Sequence, residues 1–283
     1  MHRRTLALGL LLLSTFLGAQ RPGKVILLAS TIGPIDSGIV GALEDAFEEE
    51  SGIRVRHVGA GTGAALEIAR QGSVDIVLAH ARALEEKFVA DGYGIGRVPL
   101  MYNDFVIVGP AADPAGVRGM KNALDALRTL AAKGAPFITR GDNSGTHVAE
   151  RDLWTRAGLK PAGSWYRLFP KGSEGNIATL VFTDAQNAYT LMDRASFLGA
   201  RKRIKLEVLV EGDEVLLNHI SLILVNPATC PKADLAGATA FQAWLTAADK
   251  GQRIIADYGK ATYGQALFIP ESKEWKARVP SPR

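Results

Sequence analysis

The chain has 283 residues, 47% hydrophobic and 22% charged, enough apolar material for a sizeable core and no signature of disorder. Its net charge of +4 falls to +2 without residues 1–20, which hold Arg3 and Arg4 and no acid. No clustered basic run remains, so nucleic acid is not an expected partner, and the single cysteine, Cys230, excludes an internal disulfide. Met1–Gln20 opens on His2-Arg3-Arg4, continues with an apolar segment of about a dozen residues and ends on small residues, as a secretory signal peptide does. No cysteine lies near that junction, so the expected product is exported, soluble and not a lipoprotein.

Residues 24–29 (KVILLA) predict a buried strand leading into Ser30 and Thr31. Ile39, Leu43 and Phe47 then predict a helix closing at Gly52, and residues 53–58 (IRVRHV) alternate as a strand. Gly59-Ala60-Gly61-Thr62-Gly63 opens a short helix, and residues 74–79 (VDIVLA) form a third strand. Strand-helix alternation of this kind argues for a parallel α/β sheet, with ligands at the loops after the strands' carboxyl ends. His80–Gly94 reads as a charged surface helix. Residues 101–110 (MYNDFVIVGP) and 218–227 (NHISLILVNP) are long strands that bracket a central block, as if the chain leaves one domain and returns to it.

Within that block, Phe137 and Ile138 end at a polar loop, after which Ala149, Leu153 and Ala157 recur at helical spacing up to Gly158. Arg140 therefore stands at a strand end, with Ser144, Gly145 and Thr146 at a helix start. Unpaired N–H groups and the positive end of the helix dipole suit an anion there, while Ser144 equally suits plain capping. Ser30 and Thr31, and Thr62 between its glycines, repeat the hydroxyl-and-helix-start arrangement. Downstream, Asp184 predicts a cap for a helix carrying Ala188, Met192 and Ala195. Phe241, Trp244, Leu245 and Ala248 predict an amphipathic helix, and Glu271–Arg283 reads as a surface tail. Ser144 with His147 lacks a third member, and the remaining histidines have no metal-ligand spacing, so neither catalysis nor a metal site is expected.

Arg140–His147 (RGDNSGTH), Met101–Pro110, Ala188–Arg194 (AYTLMDR) and Gly59–Arg70 (GAGTGAALEIAR) together resemble the periplasmic tungstate-binding proteins that feed ABC importers. The resemblance covers Lys24 to Pro270. It implies a two-lobed type II periplasmic binding protein: α/β, with two parallel-type sheets flanked by helices and joined by two crossing hinge strands. Lobe 1 would comprise residues 21–105 and 222–283, and lobe 2 residues 106–221. It further implies a monomer that closes on a tetrahedral oxyanion such as tungstate, needs no cofactor and hands its ligand to a membrane permease. The implied contacts are Ser30, Thr31, Thr62, Arg140, Ser144, Gly145 and Thr146, with Asp142 orienting Arg140. Two departures bear on selectivity: Ile32 and Gly33 stand where the family carries hydroxyls, and Gly175-Asn176-Ile177 replaces a Gly-Met-Gly-like turn. Phosphate is the rival ligand, and Asp36 is the candidate acceptor for its proton.

Overall fold

The computed structural model describes residues 25–278. The signal-peptide reading of Met1–Gln20 lies outside the described residues. The apolar run after Lys24 forms β1 (Val25–Thr31), which passes directly into a one-turn helix α1 (Ile32–Asp36). Ile39, Leu43 and Phe47 line the buried face of α2 (Ile39–Ser51), which ends on Gly52 in the left-handed conformation (φ 70°). The alternating segment gives β2 (Arg54–Ala60), followed by α3 (Thr62–Arg70), β3 (Ile76–Ala79) and α4 (Arg82–Ala90). β1 pairs in parallel with β2 on one side and β3 on the other. All three strands therefore end at one edge, at Thr31, Ala60 and Ala79.

β4 (Gly94–Gly109) runs unbroken through Asn103-Asp104. Beyond it lie α5 (Ala123–Ala132), β5 (Phe137–Thr139), α6 (Gly145–Arg156), β6 (Tyr166–Leu168) and α7 (Asn176–Ala185). Then follow β7 (Thr190–Asp193), α8 (Arg194–Ala200), β8 (Glu207–Val210) and β9 (Leu217–Val225). The helix expected to carry Ala188, Met192 and Ala195 is corrected here: residues 190–193 are a strand, and Asp184 instead accepts a bond from the Lys205 amide. Leu191 and Met192 are buried because β7 lies against Ile107 and Val106 of β4, a tertiary pairing that overrides the local spacing.

β4 joins two packed bodies. From Gly94 to Asp104 it pairs antiparallel with β9, which itself pairs with β3; from Phe105 onward it pairs with β7 and β8. The first body's core runs from Ile26 to Met101 and resumes at Ile220, with Phe47 against Phe241 at 4.9 Å between ring centroids. The second body packs Phe105, Phe137, Trp154, Tyr189 and Leu191 together, the Phe137 and Trp154 rings meeting edge-on at 5.2 Å. Among the described residues, the parallel ladders are β2-β1-β3 and β5-β6, with a single parallel bridge between Phe137 and Tyr189; the strands that link the bodies are antiparallel, so the whole is a mixed sheet. Where β4 changes partners, Arg194 donates to both carboxylate oxygens of Asp104, at 2.8 and 2.5 Å, and also meets Glu211 at 2.8 Å.

The chain closes with α9 (Leu235–Thr246), α10 (Gly251–Asp257), α11 (Lys260–Tyr263), β10 (Ile269–Pro270) and α12 (Lys273–Arg278). The described part of the tail is therefore helical, and fully buried Ser272 anchors it by donating to the Thr246 carbonyl at 2.7 Å. Cys230 is a buried free thiol against the Ala69 carbonyl. Among the described residues, no helix is long and apolar enough to cross a membrane.

Candidate anion-binding site

The segment after β5 folds around Asp142. Arg140 Nη2 donates to Asp142 Oδ2 at 2.5 Å, and Asp142 Oδ1 accepts from the Ser144 amide at 3.1 Å and its hydroxyl at 2.7 Å. Burial opposes ionisation of Asp142, yet the Ser144 bonds and the Arg140 charge outweigh it and hold the carboxyl below its usual range. Ser144 Oγ also accepts from the His147 amide at 3.4 Å, so Ser144 caps α6 while helping to fix the loop. Buried His147 accepts from the Asn143 amide through Nδ1, at 2.9 Å. Arg140 makes two further bonds, to the Gly172 carbonyl at 3.1 Å and, very closely, to Asn176 Oδ1.

Asn176 was not legible as a site residue, yet it collects this network. Its Oδ1 also accepts from Thr146 Oγ1 at 3.3 Å, and its Nδ2 donates to Asp193 Oδ2 at 2.6 Å and Ser196 Oγ at 3.0 Å. Arg140, Ser144, Gly145 and Thr146 thus form one cluster at the start of α6.

Ser30 and Thr31 are fully buried at the end of β1 and level with Gly59 and Ala60, so the loop to Thr62 begins beside them. Ser30 Oγ donates to the Thr31 carbonyl at 3.1 Å. Thr62 is the first residue of α3, whose cap Gly61 offers no side chain to the free amides of the first turn. His80, just past β3, joins this edge to the α6 cluster. A Cβ on Gly145 would stand 2.9 Å from His80 Cε1, so glycine is what lets the imidazole lie against the start of α6. His80 therefore packs against the start of α6 and precedes the helix that begins at Arg82, instead of opening a surface helix. Burial makes its charged form costly and lowers its pKa, against the opposing influence of Glu85.

Three features fit an oxyanion. The helices α3 and α6 present first-turn amides and positive dipole ends. Arg140 brings a full charge, its side chain only 10% exposed. Two buried polar atoms, Thr31 Oγ1 and Arg140 Nε, have no protein partner, which is costly unless a ligand supplies one.

A model of the PBP superfamily domain matches residues 18–249. The tungstate-binding protein TupA of Peptoclostridium acidaminophilum is 39% identical over 255 residues, covering 89% of this chain and 87% of that one. The tungstate-binding protein TupA of Desulfovibrio alaskensis superposes with a TM-score of 0.81 at 38% identity, over 89% of this chain and all of that one. The tungstate ABC transporter structure from Geobacter sulfurreducens gives a TM-score of 0.71 at 41% identity, over 83% and 98%. The chain belongs to the TupA-like family.

Within that family frame, the first-loop departure has a visible effect. Ile32 and Ile35 both press on Gly59, each Cδ1 standing 3.0 Å from where a Cβ would be, and Ile32 is 46% exposed. An apolar side chain thus occupies the start of α1 beside the two retained hydroxyls. Asp36 is exposed and does not cap α2, which begins after Gly38 with no side-chain cap. Asn176 stood out in the sequence only as a departure from the family's turn, and the roles of His80 and Asp193 at this cluster were not legible because Gly145 and Asn176, which they meet, lie far from them in the chain.

Proposed function

We propose that the chain captures a fully ionised tetrahedral oxyanion, tungstate foremost, outside the cytoplasmic membrane and as a monomer delivers it to the permease of an ABC importer. Ser30, Thr31, Thr62, Arg140, Ser144, Gly145 and Thr146 supply the cradle through hydroxyls, amides and one guanidinium, without a cofactor or catalysis. The hinge falls where β4 and β9 pass between lobe 1 (residues 21–105 and 222–283) and lobe 2 (residues 106–221).

The observation that carries this reading is the state of the carboxylates beside Arg140. Asp142 already accepts on both oxygens, and so does Asp193. A hydrogen phosphate needs an acceptor for its proton, whereas tungstate, molybdate and sulfate carry no proton and gain only from donors. Relatives that bear the TupA name support tungstate among these.

Calorimetric titration of the mature protein, stripped of bound anion, against tungstate, molybdate, sulfate and phosphate tests this. Tight tungstate binding with phosphate silent is expected. Binding of phosphate alone would overturn the ligand assignment, and silence from all four would overturn the receptor reading.

A further inference from the structure

Asn176 stands between two kinds of chemistry. On one side its carbonyl oxygen accepts from Arg140 and Thr146, two residues of the anion cluster. On the other its amide nitrogen spends both N–H groups, on the Asp193 carboxylate at 2.6 Å and on Ser196 at 3.0 Å. Those partners fix which way the amide faces. A flipped amide would set N–H groups against the Arg140 donor and a carbonyl oxygen against a carboxylate.

Asp193 is the group this arrangement hides. Its Oδ1 accepts from the Ser196 amide at 2.8 Å, capping α8, and its Oδ2 accepts from Asn176 Nδ2 at 2.6 Å. Burial penalises its charge and raises its pKa despite the bonds from Ser196 and Asn176. Without the amide, Oδ2 would face the same donors that meet the anion. It would then repel a dianion and accept the proton of a hydrogen phosphate.

We propose that Asn176 is a specificity-determining residue of the cleft: its amide screens the Asp193 carboxylate from the bound anion, so the site takes oxyanions with no proton to give and refuses hydrogen phosphate. The inference rests on the oxyanion reading above. It also gives a physical role to a position where the chain departs from the pattern of the proteins it resembles.

The test compares affinities for tungstate and for phosphate in the wild type, Asn176→Ala and the double variant Asn176→Ala/Asp193→Asn. In Asn176→Ala the ratio of tungstate to phosphate affinity should fall at least about tenfold. Adding Asp193→Asn, which keeps a capping side chain but removes the carboxylate, should restore most of that ratio. A merely structural role for Asn176 would weaken both anions in proportion and would not be rescued by Asp193→Asn; either result overturns the proposal. Should melting curves show Asn176→Ala unfolded, the near-isosteric Asn176→Asp puts a carboxylate against Arg140 directly and must lower the same ratio. Tungstate binding by the wild type with an unmoved ratio in the variants sinks this inference alone, whereas a wild type that binds no anion sinks the receptor reading and this inference with it.

Discussion

A guanidinium has five N–H groups, and the protein claims three of those of Arg140 through Asn176, Asp142 and Gly172. Nε and one N–H on Nη1 remain for a ligand, which suits two separate contacts better than a fork gripping one edge of the anion. Arg140→Ala should therefore weaken tungstate binding by at least about 2 kcal/mol, the lower range for truncating a buried charged partner. Unchanged affinity by calorimetry would take Arg140 out of the site. The residues legible in the sequence were those whose chemistry is local: Arg140, Ser144 and Thr146 lie within seven positions along RGDNSGTH. Asn176 reaches Arg140 across 36 positions and Asp193 across 17, and no local pattern encodes such meetings. Likewise, only the register of β1, β2 and β3 brings His80 to the edge that holds Ser30 and Thr31.

At the level of elements, α6 was readable from its glycine-bounded apolar spacing, but its most unusual buried group was not. Glu150 is 4% exposed and accepts from Trp154 Nε1 at 3.1 Å and from the Tyr166 hydroxyl at 2.7 Å. Burial outweighs those donors and lifts its pKa from 4.5 to about 7. The native state therefore binds this proton more tightly than the unfolded chain. The resulting stability is complete below about pH 4.5, and it is lost as pH rises towards 7. Glu150→Gln should remove that slope, flattening the pH dependence of the melting temperature across this window by an amount worth up to about 3 kcal/mol. An unaltered slope in the variant would show that Glu150 titrates normally. By contrast, β7 was misread because three buried residues in a row carry no alternation, so a chance spacing of four imitated a helix.

For the whole molecule, the two-lobed plan was legible because both crossing strands are long and apolar and lie far apart in the sequence. What the sequence could not convey was the sharing: β4 belongs to both sheets, and the Arg194–Asp104 clamp sits where it changes partners. A hinge of two antiparallel strands favours rigid-body closure over local rearrangement. Saturating tungstate should reduce the radius of gyration measured by small-angle scattering, and identical curves with and without ligand would argue against closure. The same shared strand also governs how the chain must be made. Asn218 of β9 donates to Asn103 of β4 across 115 positions, and β3 has β9 as its second neighbour. Until residues 217–225 have been synthesised, the N-terminal sheet lacks its central strand, leaving β3 and β4 with raw edges. A fragment cut at the boundary between the lobes should therefore aggregate rather than fold, and the native sheet forms only after a long loop has closed, which delays folding until translation is nearly complete.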